Sequence, residues 1–226
     1  MKKYDQALRY EIFEKEEYAV AKEAIQQANV IFDIGGHLGF FSEWCRSLWS
    51  EAEIHYFEPI EELYQEAKSR LNGEKKLIFN NVWIGVEEGE ISFLVNDEKT
   101  MQSSKYASFL NSKWEEVKVK MTTLERYLDS LEPPLPPVAN TGQALLQKEG
   151  IFVKMDIEGM EWDVLESWSE EIWEMIGSLI VEVHFLKEGD EERFLRLKEK
   201  LNQIFGTVVY QENAYSEKVG LLYGRK

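Results

Sequence analysis

The run Asp33-Ile-Gly-Gly-His-Leu-Gly39 places a carboxylate and three glycines at the end of an apolar segment. Glycines there let a ligand lie close to the chain, and the free N–H groups of a following helix favour a polar ligand group. The spacing of Gly35, Gly36 and Gly39 departs from the dinucleotide fingerprint GxGxxG, because His37 and Phe40 stand where glycines would be needed. Asp33 would repel a pyrophosphate but pair with an ammonium. The turn therefore favours S-adenosylmethionine over NAD. Glu58 closes the run Ile-His-Tyr-Phe-Glu-Pro, about twenty residues on, the spacing at which an acid accepts hydrogen bonds from both hydroxyls of a ribose. Asn81, at the end of the next apolar run, is a candidate contact for the adenine, or a plain turn residue.

A second constellation lies later in the chain. Asp156 ends the run Ile-Phe-Val-Lys-Met, and Glu158 and Glu161 bracket Gly159 at the start of a helix, where they could stabilise the helix dipole or hold a substrate or cation. Glu182 and His184 alternate onto one face of a strand expected beside Asp156. Were a methyl group passed from such a cofactor to a hydroxyl, a neighbouring group would have to take the proton, and a histidine titrating near pH ~6.5 suits that task. His184 is thus the candidate base, with Asp156 and Glu182 facing the acceptor. Alternatively, Asp156, Glu182 and His184 could hold Mg²⁺ or Mn²⁺ and acidify the hydroxyl. Nine acids and no Lys or Arg lie between Lys154 and Lys187, a balance that attracts cations.

These residues need a scaffold that brings strand ends together. Apolar runs at 29–34, 54–57 and 77–81 alternate with helical patterns at 40–49 and 60–71, the rhythm of a parallel sheet. The pattern resumes with strands at 151–156 and 178–184 and helices at 162–173 and 188–205. Two last strands, at 207–211 and 218–223, are joined by a link too short for a crossover helix, so the final strand runs antiparallel to its predecessor. The expected fold is a seven-stranded, mostly parallel α/β sheet with an antiparallel last strand and helices on both faces, the Rossmann-like fold of class I methyltransferases. Residues 1–28 read as a leading amphipathic helix packed on the domain, and 29–226 as the domain itself, with an excursion at about 86–150. Within the excursion, Met101–Trp114 is Ser-rich and aromatic and could form a lid in which Ser103, Ser104 or Tyr106 meets substrate; an ordinary loop reads as well. Four of the five prolines cluster at 132–142, a surface connection. Trp162, Trp168 and Trp173 fall at helical spacing and read as core.

Of the 226 residues, 44% are hydrophobic, enough for one sizeable core. The net charge of -16 disfavours nucleic acid and anionic membrane surfaces as partners. One cysteine, Cys45, permits no intrachain disulfide and fits a cytoplasmic setting. The charged first 28 residues lack a signal-peptide core, and no apolar run reaches the ~20 residues of a membrane span.

Taken together, FDIGGHLGFFS at 32–42, YFEP at 56–59, TTLERYL at 122–128, VKMDIEGMEWDVL at 153–165 and IVEVHF at 180–185 resemble the FkbM family of S-adenosylmethionine-dependent methyltransferases. The resemblance implies O-methylation of a hydroxyl on a small molecule or sugar-containing metabolite. It differs at Gly36-His37, where the family more often has Ala-Asn, so His37 joins the residues expected at the cofactor's methionine end. Two other readings stay open. One is a non-catalytic module that binds the cofactor without turnover, and the other is an NAD-dependent oxidoreductase.

Overall fold

The computed structural model describes residues 3–48, 50–95, 115–132, 135, 150–213 and 216–226. Strands β1 (Val30–Ile34), β2 (Glu53–Phe57) and β3 (Leu77–Asn80) open the main sheet. A small sheet follows, made of β4 (Trp83–Ile84), β5 (Gly89–Val95) and β6 (Glu115–Thr122). The main sheet then continues with β7 (Ile151–Met155), β8 (Ile176–His184), β9 (Thr207–Asn213) and β10 (Ser216–Arg225).

The main sheet has the order β3-β2-β1-β7-β8-β10-β9. Neighbours from β3 to β8 pair in parallel, while β10 runs antiparallel to both β8 and β9. This is the expected mostly parallel seven-stranded architecture. Every residue of β1 and β7 is buried, which explains why these strands read as continuous apolar runs rather than alternating ones. In register, Asp33 of β1 lies between Tyr56 of β2 and Lys154 of β7, so two charged side chains meet inside the sheet. The strand order turns back between β1 and β7, and ligands of open α/β sheets bind beyond the strand ends at such a point.

Helices α1 (Lys3–Phe13), α2 (Lys22–Gln27), α3 (Phe40–Ser47), α4 (Glu61–Arg70), α5 (Leu124–Asp129), α6 (Glu161–Ser167), α7 (Glu170–Met175) and α8 (Asp190–Ile204) complete the described elements, with one 3-10 turn at Ala19–Ala21. Two long helices expected from the sequence are broken. The leading one stops at Phe13, and Glu16 takes a left-handed φ of 53° before the chain resumes as α2. The helix expected over 162–173 ends at Ser167; Ser169 then caps α7, its hydroxyl accepting from the Ile172 N–H. Trp162, Trp168 and Trp173 are all buried in the core. Two strands from the region expected as an excursion, β5 and β6, join β4 in a sheet of order β4-β6-β5, and these longer strands are half-exposed as their alternation suggests. Ser103, Ser104, Tyr106 and the rest of the expected lid lie outside the described residues, as does most of the proline cluster. Among the described residues no helix is long and apolar enough to cross a membrane.

Candidate active site

The turn after β1 is built around contacts that only glycine allows. A Cβ at Gly35 would stand 1.8 Å from the carbonyl oxygen of Asp156, and its φ of +74° is left-handed. At Gly36 a Cβ would enter the Tyr56 ring at 2.2 Å. These glycines therefore draw the β1 turn against the ends of β7 and β2. His37 follows with a φ of 48°, its N–H donating to Glu58 Oε2 at 3.0 Å and its carbonyl accepting from the Tyr56 hydroxyl. Burial pushes the His37 imidazole down to about 4, so it is neutral at physiological pH.

Glu58, 5% exposed, accepts from two backbone groups: His37 N–H on Oε2 and Ile60 N–H at 2.8 Å on Oε1. Burial still pushes its carboxyl up to about 7, against those two hydrogen bonds. Gly35, Gly36, His37, Glu58, Asp156 and Glu158 line one cleft with Lys154, closed over by Leu8 and Ile12 of α1 and by Tyr18. The cleft is open to solvent and carries apolar walls from Phe40, Ile60, Trp83 and Phe93. A carboxylate at the end of β2, backbone at the end of β1 and flat apolar walls are what a ribose, an amino-acid tail and a purine require, so the residues present fit S-adenosylmethionine.

Three residues expected at the cofactor do not line this cleft. Asp33 is fully buried beneath the turn and accepts from Ser42 Oγ at 2.7 Å, with the Lys154 ammonium 3.6 Å away. Burial pushes its carboxyl up, and Lys154 and Ser42 pull it back. Gly39, with a φ of +73°, begins α3 and faces Leu71. Asn81 donates to the carbonyls of Glu58 and Pro59, which ties the end of β3 to the Glu58 turn. Lys154 escaped the sequence reading. Its Nζ donates to the Gly35 carbonyl at 2.7 Å and lies 3.7 Å from Asp156. Its signal is a lysine inside an otherwise apolar strand, which is rare unless the charge is paired.

Beside the cleft lies the acidic corner. Glu161 is fully buried, and its carboxylate accepts from the N–H groups of Ile157 and Gly159 as well as standing 3.0 Å from His184 Nδ1. It therefore organises the turn after β7 rather than serving as an exposed helix-end charge. His184 is 7% exposed, and its carbonyl accepts from the Trp162 indole at 2.9 Å. Burial opposes its charge, but the Glu161 hydrogen bond and the carboxylates of Glu161, Asp156 and Glu182 outweigh that and hold the imidazole up at about 10. Such an imidazole already carries its proton at neutral pH. Glu158 is pushed up to about 8, first by burial and then by Asp156. Glu182, pushed well up by burial and by Asp156, opens onto a neighbouring cleft with Glu11, Glu17 and Glu212. Of the three residues expected at the acceptor, Asp156 alone lines the cofactor cleft, with His184 behind Glu158 and Glu161.

A seven-stranded sheet of this order, with a glycine turn after β1 and a buried acid after β2, defines the class I methyltransferase fold. Within that class, the chain belongs to the FkbM methyltransferase domain family, whose model matches residues 33–215. A relative named Methyltransferase 1, from Beauveria bassiana, is 24% identical over 164 residues, which is 68% of this chain and 64% of that protein. Among solved structures, a Streptococcus mutans methyltransferase in complex with SAH superposes with a TM-score of 0.51 at 11% identity, covering 92% of this chain and 97% of that one. An rRNA-methylase from Clostridium thermocellum gives 0.50 at 9% identity, covering 94% of each chain. At such identities these two likenesses show the fold.

Proposed function

We propose that this chain methylates a hydroxyl oxygen on a small molecule or sugar-containing metabolite. The carrying observation is the position of Asp156 and Glu158, which line the cofactor cleft on the side of the acidic corner. When bound, S-adenosylmethionine supplies an electrophilic methyl carbon on a sulfonium, which an oxygen takes as its proton leaves. Glu58 holds the ribose, Gly35 and Gly36 give the methionine end its backbone contacts, His37 walls it as a neutral ring, and Lys154 faces its carboxylate. Positioning is then the main catalytic contribution. His184 can take the acceptor's proton only in its neutral form, after giving its own proton to solvent water and with Glu158 or a water bridging it to the cleft; a divalent cation, Mg²⁺ or Mn²⁺, is the second way of drawing that proton off.

The net charge of -16 supports a small neutral or cationic acceptor over RNA. A free, buried Cys45 fits a reducing, cytoplasmic setting. Calorimetric titration of S-adenosylhomocysteine and NAD tests the cofactor, with Glu58→Ala alongside. Binding of the sulfur ligand that Glu58→Ala abolishes, together with methyl incorporation into members of a hydroxylated panel and none into RNA, is the expected result. Binding without turnover on any acceptor would favour a non-catalytic module, and a preference for NAD would return the oxidoreductase reading.

A further inference from the structure

We propose that Asp156, Glu158 and Nε2 of His184 form a seat for one divalent cation, and that Glu161 is the outer carboxylate that turns the imidazole toward it. Glu161 Oε1 stands 3.0 Å from Nδ1 of His184 while the same carboxylate takes the N–H groups of Ile157 and Gly159. Three such contacts occupy Glu161 and leave Nδ1 as the donor nitrogen. A histidine that donates one ring N–H to a buried carboxylate presents the other nitrogen as a ligand, an arrangement that recurs at metal sites. Among the described residues that nitrogen has no hydrogen-bond partner, although its side chain is 8% exposed; the nearest acid oxygen is Glu158 Oε2, at 3.8 Å. That distance is long for a hydrogen bond, yet two ligands each about 2.1 Å from one ion stand about 3–4 Å apart. One ligand atom each from Asp156, Glu161 and His184 lie within 4.8 Å of one another, which brings Asp156 within reach of the imidazole, and Glu158 joins them through its 3.8 Å approach to Nε2.

Charge points the same way. Lys154 is the cation beside Asp156, and it is shared with Asp33 and the Gly35 carbonyl. Among the described residues, no Lys or Arg makes a direct ion pair with Glu158 or Glu182, and Lys154 acts on Glu158 only at longer range. One nitrogen and two carboxylate oxygens suit Mn²⁺ better than Mg²⁺, which takes oxygen ligands and keeps its waters. The functional consequence rests on the O-methylation reading. An ion on Asp156 and Glu158 borders the cofactor cleft, where it can bind an acceptor hydroxyl and lower its pKa so that the proton leaves to solvent water.

The test titrates Mn²⁺ into the full chain at pH 8, following free ion by electron paramagnetic resonance, with neither cofactor nor acceptor present. Failure here is thus separate from failure of the methyltransferase reading, which S-adenosylhomocysteine binding decides. The expected result is one ion per chain, loss of that ion in Asp156→Asn, and about 10–100-fold weaker binding in Glu161→Gln. Circular dichroism verifies that each variant folds. In the unmutated chain, Mn²⁺ should broaden the ring resonances of His184 before those of the other histidines. Several weak ions indifferent to Asp156→Asn, no stoichiometric uptake, or an unbroadened His184 would overturn the proposal.

Discussion

Glu58 concentrates the binding argument in one side chain. It is buried, accepts two backbone N–H groups, and is pushed up to about 7, so it passes from mostly neutral to mostly charged across the physiological range. A charged carboxylate is the stronger acceptor for ribose hydroxyls. S-adenosylhomocysteine should therefore bind more tightly at pH 8 than at pH 6, and Glu58→Gln should flatten that dependence. The substitution should also weaken binding by about 1.5–3 kcal/mol, the range for a hydrogen bond to a charged group. Calorimetry at the two pH values reads both effects, and equal pH slopes in the two proteins would remove Glu58 from the ribose. Lys154 makes the complementary case for stability. Its ammonium is the cation shared by buried Asp33 and the nearer oxygen of Asp156. Lys154→Met would strand Asp33 in the sheet, at about 3–5 kcal/mol, measurable by urea unfolding.

At the scale of elements, the turn between β1 and α3 works as a spacer as much as a binding loop. Gly35 is required because the Asp156 carbonyl occupies the position a side chain would take. Gly35→Ala should cost about 1–3 kcal/mol from the clash, with about 1–2 more from the left-handed backbone, and should displace Asp156 along with the cofactor wall. Thermal unfolding and calorimetry detect the two losses. α1 offers a separate test. Leu8 and Ile12 wall the cleft, so S-adenosylhomocysteine should slow amide exchange across α1; unchanged exchange would place the ligand away from this helix. The same elements show what could be read in the sequence. The strands themselves, the glycine turn after β1 and the acid after β2 were legible because each rests on a short local pattern, an apolar run ending in a turn or an acid. The roles of Lys154, Asp33 and Asn81 were not, since each depends on a partner from another strand: Asp33 meets Lys154 across the β1–β7 register, and Asn81 reaches back to the Glu58 turn. Glu161 was legible only in part, for a related reason. Its place at a helix start is visible in sequence, whereas its burial under the β7 turn and against His184 is tertiary.

For the whole molecule, the acidic balance becomes a prediction about stability. Glu17 and Glu58 are pushed up to about 7 and Glu158 to about 8, chiefly by burial. In an unfolded chain these groups lose their protons near pH ~4.3. Between those limits the folded protein holds protons that unfolding releases, so stability falls as pH rises. His184 acts in the same sense: its proton stays bound up to about 10 in the fold but only to ~6.5 in the unfolded chain. The opposite trend, from His37 held down to about 4, is confined below pH ~6.5. From pH 6.5 to 8.5, then, the resolved shifts of these groups favour a falling melting temperature, and a loss of about 2 kcal/mol would appear as roughly 4–8 °C. Calorimetry in the presence of a chelator checks the trend. A flat or rising melting temperature would mean that the acidic corner is solvated in solution. If the fall is seen, adding Mn²⁺ should reduce it, because an ion on Asp156, Glu158 and His184 replaces the protons that these groups would otherwise retain. Salt alone should raise the melting temperature at pH 8.5 through screening of the -16 net charge, without changing the His184 ring signals, and this difference separates a bound ion from a diffuse atmosphere.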